Sequence, residues 1–268
     1  MIDLHSHLLP RIDDGARSEG DALAMARMAV ADGIRTLACT PHVMPGRYDN
    51  EISDIERRVG ALRRRLQAEG IALDLVVGAD VHAAPDLART LGRTIPTLGD
   101  TRYFLFEPPH HVLPPGLVDH TRRVIDAGFV PILTHPERLA WVPKHYDVFE
   151  ELNRLGCLVQ ITANALTGKF GPEVEALALG MLDEGRIDII ASDAHDTTHR
   201  PPILSRARAV VAGMLGEREA ERMVSTRPAT ILADGDLLPV GRDIPSAGRP
   251  VTDTAVARIG RLFRGHPR

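Results

Sequence analysis

Two histidines open this sequence two positions apart, in Asp3-Leu4-His5-Ser6-His7. In an extended chain, residues i and i+2 point to the same side, so both imidazoles can reach one site. Asp193 and His195 repeat that spacing late in the chain, in Ser192-Asp193-Ala194-His195. Between these pairs, His42, Asp80, Glu107 and His135 each end or follow a short apolar run. Asp14, in Ile12-Asp13-Asp14-Gly15, is a loop carboxylate soon after the first run. Imidazoles mixed with carboxylates suit Zn²⁺, Mn²⁺ or Fe²⁺ better than Ca²⁺ or a thiolate-bound metal. A lone His-x-His arises by chance; so many metal-type residues at successive strand ends point to a metal site. His110 and His111 are the further histidines expected nearest that site, whereas His82, His120, His145 and His266 are expected at the surface or behind the ligands.

The elements that must position these residues alternate. Strands are expected at 1–7, 34–40, 73–78, 103–107, 129–134, 157–161 and 187–192. Helices are expected at about 18–32, 50–69, 117–127, 148–155, 173–184, 203–215 and 217–225. Ser18 is the expected N-cap of the first helix, and Gly33, Gly70, Gly128 and Gly156 are helix stops. Alternation of strand and helix implies a parallel sheet. Strands that are apolar throughout imply burial on both faces. The length and pattern fit a closed barrel related to the (β/α)8 type, whose active sites gather at the C-terminal ends of the strands; an open doubly wound sheet is the alternative. No Gly-x-x-x-x-Gly-Lys phosphate loop follows any strand.

Composition narrows the class. The chain has 268 residues, 44% of them hydrophobic and 25% charged, enough for one large domain with a substantial core. A formal net charge of −4 gives no overall basic footprint for nucleic acid. No run approaches the roughly 18 apolar residues of a membrane span, and signal-peptide cleavage would remove His5 and His7, so a cytoplasmic location is expected. The two cysteines, Cys39 and Cys157, are expected to be buried and reduced. Neither is followed six positions on by arginine (Pro45 and Ala163 stand there), which excludes a Cys-x5-Arg phosphatase. The barrel is expected over 1–240. The arginine-rich segment 241–268 is expected to be a solvated tail or a short amphipathic helix, with at most weak membrane contact.

The motifs MIDLHSHLLPRIDDGARS, TPHV at 40–43, VGAD at 77–80, IPTLGDTRYFLFEPP at 95–109, THPER at 134–138 and SDAHDTTHRPP at 192–202 resemble the PHP (polymerase and histidinol phosphatase) superfamily. Within it they resemble the CpsB/CapC-type bacterial tyrosine phosphatases of capsule and exopolysaccharide loci. The resemblance spans about residues 1–235. It implies an α/β fold, a distorted TIM-like (β/α)7 barrel of the PHP type, with two or three divalent metal ions, Mn first and Fe or Zn as alternatives. It assigns ligand roles to His5, His7, Asp14, His42, Glu107, His135, Asp193 and His195, and maps a family glutamate onto Asp80, one methylene shorter. Arg200 matches a phosphate-binding arginine, and Arg138, three residues after His135, is placed for the same task. The implied reaction is attack on phosphorus by a metal-bridging hydroxide. The implied substrate is the phosphorylated tail of a tyrosine autokinase, with homo-oligomers and membrane contact only through that kinase. Two other readings are a small-molecule phosphatase such as histidinol-phosphatase and a non-catalytic PHP module.

Overall fold

The computed structural model describes residues 1–237; the expected tail at 241–268 lies outside the described residues. Strands and helices alternate as expected. The strands are β1 (Ile2–Asp3), β2 (Thr36–Cys39), β3 (His42–Val43), β4 (Asp74–Val77), β5 (Asp80–His82), β6 (Tyr103–Glu107), β7 (Val130–Thr134), β8 (Leu158–Thr162) and β9 (Ile189–Ala191). The helices are α1 (Glu19–Ala31), α2 (Ile52–Ala68), α3 (Leu87–Thr90), α4 (Leu117–Asp126), α5 (Tyr146–Leu155), α6 (Pro172–Asp183), α7 (Ser205–Leu215), α8 (Glu217–Glu221) and α9 (Arg227–Leu232).

All named strand pairs are parallel, and they form two sheets, ordered β1-β2-β4 and β3-β5-β6-β7-β8-β9. The ladders thus trace a mixed α/β fold of two parallel sheets rather than the single seven-stranded sheet expected. The difference lies just after two of the expected strands, 34–40 and 73–78, each of which is followed by a further short strand. Pro41, which has no N–H for a ladder, separates β2 from β3. Gly78 and Ala79 separate β4 from β5. A Cβ at position 78 would lie 2.8 Å from Leu98 Cδ2 and 3.0 Å from Thr40 Cγ2, so the chain there passes too close to its neighbours for a larger residue. Hydrogen bonds carry the pairing across the breaks, from Gly78 N to Cys39 O (3.1 Å) and from Asp80 N to Pro41 O (3.0 Å).

Beyond β1 the chain stays extended and meets the segment after β9. Ser6 forms an isolated parallel bridge with Ala194. Asp193 N donates to His5 O (2.9 Å) and His7 N to Ala194 O (2.8 Å). Buried Asp3 supports this junction by accepting from Ser192 N (3.0 Å) and Ser192 Oγ (2.5 Å). Burial holds its carboxyl up to about 6 against these bonds.

Two apolar clusters sit on opposite faces of the strands. The larger joins strand residues such as Leu37, Phe104, Leu133 and Ile190 to the helices. The smaller gathers Leu4, Ala38, Leu105, Ile132, Leu158 and Ile189, drawn from both sheets, with Leu98, Tyr103 and Ile231. Cys39 and Cys157 are buried, as expected, and among the described residues neither forms a disulfide.

Ser18 caps α1 by accepting from Asp21 N. The start of α7 has a different solution, because its own N-cap residue, Leu204, has no side-chain acceptor. Asp32, at the far end of α1, supplies it: its Oδ2 accepts from Leu204 N (2.7 Å) and Ser205 N (3.0 Å), and its Oδ1 accepts from Ser205 Oγ. Asp32→Ala is expected to lower stability by about 1–2 kcal/mol, the worth of an N-cap. Urea denaturation checks this, and a loss below about 0.5 kcal/mol would contradict the long-range cap.

Candidate metal centre

The C-terminal ends of the strands place nine of the residues singled out by sequence around one centre. His5 and His7 follow β1, His42 opens β3, Asp80 opens β5, Glu107 ends β6 and His135 follows β7. Asp193 and His195 follow β9, and Asp14 lies in the loop before α1. His5, His7, Asp80, Glu107, His135, Asp193 and His195 are all buried.

Their donor atoms form compact sets. His5 Nε2, His7 Nε2 and Asp193 Oδ1 make a near-equilateral triangle with edges of 3.2, 3.3 and 3.4 Å. Asp14 Oδ1 lies 3.4 Å from His195 Nε2 and 3.5 Å from His42 Nε2. Glu107 Oε1 lies 3.5 Å from His135 Nε2. Asp80 Oδ2 stands between His42 Nδ1 (3.2 Å) and His5 Nε2 (3.5 Å). Two ligands each about 2.1 Å from one ion, at 90–110°, would be about 3.0–3.5 Å apart; the observed edges have that length.

Several of these donors lack other partners. Among the described residues, His42 Nδ1, both oxygens of Asp80 and His195 Nε2 are buried without a hydrogen bond. Each such group costs about 1–3 kcal/mol if left unsatisfied, so the donor set fits divalent cations. The charge balance agrees. Burial opposes a proton on His5, yet the Asp193 and Asp80 carboxylates outweigh it and raise the imidazole to about 9. His42 rises to about 11 against its burial through Asp80 and Glu107. Carboxylates thus draw positive charge at His5 and His42, whereas burial, with Arg138 near one and His7 near the other, lowers His135 and brings His195 down to about 4, leaving those two rings neutral donors.

Around the donors lies a layer that holds them in orientation, and sequence reasoning passed over much of it. Gln160 Oε1 lies 2.8 Å from His5 Nδ1, turning Nε2 toward the centre. Asp13 Oδ2 lies 2.7 Å from His7 Nδ1 and accepts from His42 N (3.1 Å). Gly15 N donates to Asp13 Oδ1 (2.9 Å), and a Cβ on Gly15 would lie 2.1 Å from His7 O, so only glycine fits that turn. His82 Nε2 lies 2.8 Å from Glu107 Oε2, and His110 Nε2 lies 2.9 Å from Glu107 Oε1. A polar Gln160 inside an otherwise apolar strand, and a second carboxylate beside Asp14, were the available signals. Two candidate ligands also have left-handed backbones, His135 at φ 37° and Asp193 at φ 51°. Such conformations cost on the order of 1–3 kcal/mol and persist only where the surroundings impose them.

Arg138 and Arg200 both pair with Asp193 Oδ2, on the opposite side of that carboxylate from the imidazoles. Burial would raise the Asp193 carboxyl, but His5, Arg200 and Arg138 hold it well below the usual range. Arg138 also lies over the Phe170 ring, 4.8 Å from its centroid. Asp196 shapes the loop that presents Arg200, since its Oδ1 accepts from Thr198 N and His199 N, both at 2.6 Å, and from Arg200 N at 3.3 Å. Both arginines line a cavity of about 410 Å³ together with Glu107, His135 and Asp193. Met44, Tyr48 and Val112 add apolar surface to it, and Val112 is 66% exposed.

A model of the family described as "Capsular polysaccharide synthesis, CpsB/CapC" matches residues 1–233. Tyrosine-protein phosphatase YwqE of Bacillus subtilis is 34% identical over 209 residues, 75% of this chain and 79% of that protein. The putative tyrosine-protein phosphatase CapC of Staphylococcus aureus is 31% identical over 207 residues, covering 77% and 81%. A solved structure from work on YwqE and Streptococcus pneumoniae CpsB, described as metal-dependent tyrosine phosphatases, superposes with a TM-score of 0.84 at 31% identity. It covers 90% of this chain and 98% of the other.

Asp13→Ala is expected to weaken divalent-metal binding by about 10–100-fold, the usual effect of removing a carboxylate that orients a ligating imidazole. Calorimetric titration with Mn²⁺ measures this, and an unchanged affinity would contradict the orienting role.

Proposed function

The chain belongs to the CpsB/CapC family, and from that premise we propose that the centre described above is the active site of a metal-dependent tyrosine phosphatase. The observation that carries the reading is Asp193. One of its oxygens faces His5 and His7 and the other faces Arg138 and Arg200, so metal donors and phosphate-binding cations are fixed to one carboxylate.

Three donor sets are proposed for two or three ions, with Mn²⁺ the first choice and Fe²⁺ or Zn²⁺ the alternatives. One is His5, His7 and Asp193, another is Asp14, His42 and His195, and a third is built on Glu107 and His135. Asp80 spans from His5 to His42 and is proposed to bridge. Divalent ions there would act as Lewis acids on the phosphoryl oxygens and make water a better nucleophile.

The protein's own part is positioning and charge. Arg138 and Arg200 would bind the non-reacting phosphoryl oxygens, where most stabilisation of a phosphoryl-transfer transition state is gained. Arg200 Nε is buried and without a partner among the described residues, a donor open to a phosphate oxygen. Met44, Tyr48 and Val112 offer apolar contact to an aryl leaving group. Water attacks phosphorus as the aryl oxygen departs, and phenolate, with a pKa of about 10, leaves without a dedicated general acid. We extend the proposal to the substrate: a phosphotyrosine on the tail of a tyrosine autokinase that controls capsule or exopolysaccharide synthesis, met in the cytoplasm. The names of the relatives and of the family support this reading.

We further propose that the two sheets act as one distorted seven-stranded barrel over the catalytic unit, with β2/β3 and β4/β5 each a single interrupted strand. The Ser6–Ala194 bridge and the smaller apolar cluster, to which six of the seven strand lines contribute a buried side chain, support it.

Purified protein is expected to hydrolyse a phosphotyrosyl peptide far faster than histidinol phosphate, to lose activity with a chelator and to regain it with Mn²⁺. Turnover that survives chelation, or a preference for histidinol phosphate, would overturn the reading. Arg200→Ala is expected to raise the inhibition constant for inorganic phosphate by about tenfold or more, as for a lost charged hydrogen bond, while metal content stays the same. An unchanged constant would remove Arg200 from the phosphate site.

A further inference from the structure

The Oε1 side of Glu107 is short of donors. Asp80 leans toward His5 and His42, and His42 Nε2 faces Asp14. Glu107 Oε2 faces His42 Nδ1 at 3.4 Å, in a group with Asp80; at Oε1, Glu107 and His135 alone supply two ligands, whereas catalytic metal sites usually take three from the protein. Among the described residues, the three-donor group that contains both Glu107 and His135 is completed by His110.

We propose that His110 is a metal ligand in this protein, completing a Glu107–His110–His135 subsite. The inference rests on the metallophosphatase reading and adds a residue to it. Three observations support it. His110 Nε2 is 2.9 Å from Glu107 Oε1, the same oxygen that lies 3.5 Å from His135 Nε2. Both separations are close to those of ligand pairs on one ion. The two imidazoles flank that oxygen with ring centroids 5.0 Å apart. The loop is also built rather than loose: Ala140 N donates to His110 O (2.8 Å) and Trp141 Nε1 to Pro109 O (3.0 Å). Both anchors come from the segment that follows His135 and Arg138, so the backbone of His110 is fixed relative to its partner ligand.

The competing role for His110 is to hold Glu107 by a hydrogen bond, as His82 is placed to do at the other oxygen. The two roles differ in what touches the ion. A ligating His110 directs Nε2 at the metal, and Glu107 Oε1 and His110 become neighbours in one coordination sphere. A merely orienting His110 keeps its bond to Oε1.

Crystals of the full chain loaded with Mn²⁺, with anomalous scattering to locate the ions, separate these roles. The expected result is an ion bonded to Glu107 and His135 with His110 Nε2 about 2.1 Å away. In solution, His110→Ala is expected to retain one ion fewer than the parent protein after gel filtration at a Mn²⁺ level that saturates the parent, by elemental analysis. His110→Asp, which restores a ligand atom, is expected to recover it, and His111→Ala to keep the full complement. An ion on Glu107 and His135 with His110 still bonded to Oε1, or an unchanged ion count in His110→Ala, overturns the inference and leaves the phosphatase reading standing. A parent protein that binds no divalent ion overturns both.

Discussion

The constraint on which the rest of this structure depends is the division of labour within Asp193. A carboxylate can accept from two directions at once. Here Oδ1 faces the His5 and His7 imidazoles at 3.4 and 3.3 Å, and Oδ2 takes both guanidinium groups. Buried charge is tolerated only when paired, and this one is paired on both sides. To hold it so, the backbone at Asp193 adopts a left-handed conformation that aspartate enters at a cost. The neighbours supply what that requires. His5 O receives the Asp193 N–H, Asp3 secures Ser192, and Asp196 folds the loop that returns Arg200 to the same carboxylate.

Much of this was legible in the sequence because strand ends are legible. Alternating apolar runs located the parallel strands, and the i, i+2 spacing of His5 with His7 and of Asp193 with His195 required only that the chain be extended there. The nine residues do converge around one centre. What the sequence hid was three-dimensional. Pro41 and Gly78 look like ordinary interruptions, yet they divide two strands and separate the ladders into two sheets. Asp13 and Asp14 are chemically alike, and only the fold turns one toward His7 Nδ1 and the other toward His42 and His195. His82 carries no periodic signal, since its partner, Glu107, sits 25 positions beyond it, whereas His110, three positions after Glu107, lies near the site as expected. Positive φ at His135 and Asp193 has only a weak sequence signature, since aspartate and histidine enter that region more readily than most residues but seldom do so.

The orienting groups share a logic. Gln160 and Asp13 each take the inner ring nitrogen of an imidazole and leave the outer one toward the centre. Glu107 is treated the other way: histidines lie against both of its oxygens. The centre therefore exchanges roles between rings and carboxylates, so that His5, His7 and Glu107 are each held in orientation by a neighbour. Preorganisation of this kind is what electrostatic catalysis needs, because groups already in place do not have to be reoriented as charge develops.

The junction of Ser6 with Ala194 has a consequence for how the molecule comes into being. Asp3 and Ser192, joined by two hydrogen bonds, are 189 positions apart. During synthesis His5 and His7 leave the ribosome first and stay without Asp193 until nearly the whole fold has followed. Contacts of such sequence separation form late, because the chain between them must be ordered before they return anything. The centre is thus a checkpoint on completeness: a chain truncated before residue 193 still carries His5, His7, Glu107 and His135 but lacks the carboxylate that links His5 and His7 to Arg138. Its His5–His7 edge is left without the segment after β9 that pairs with it.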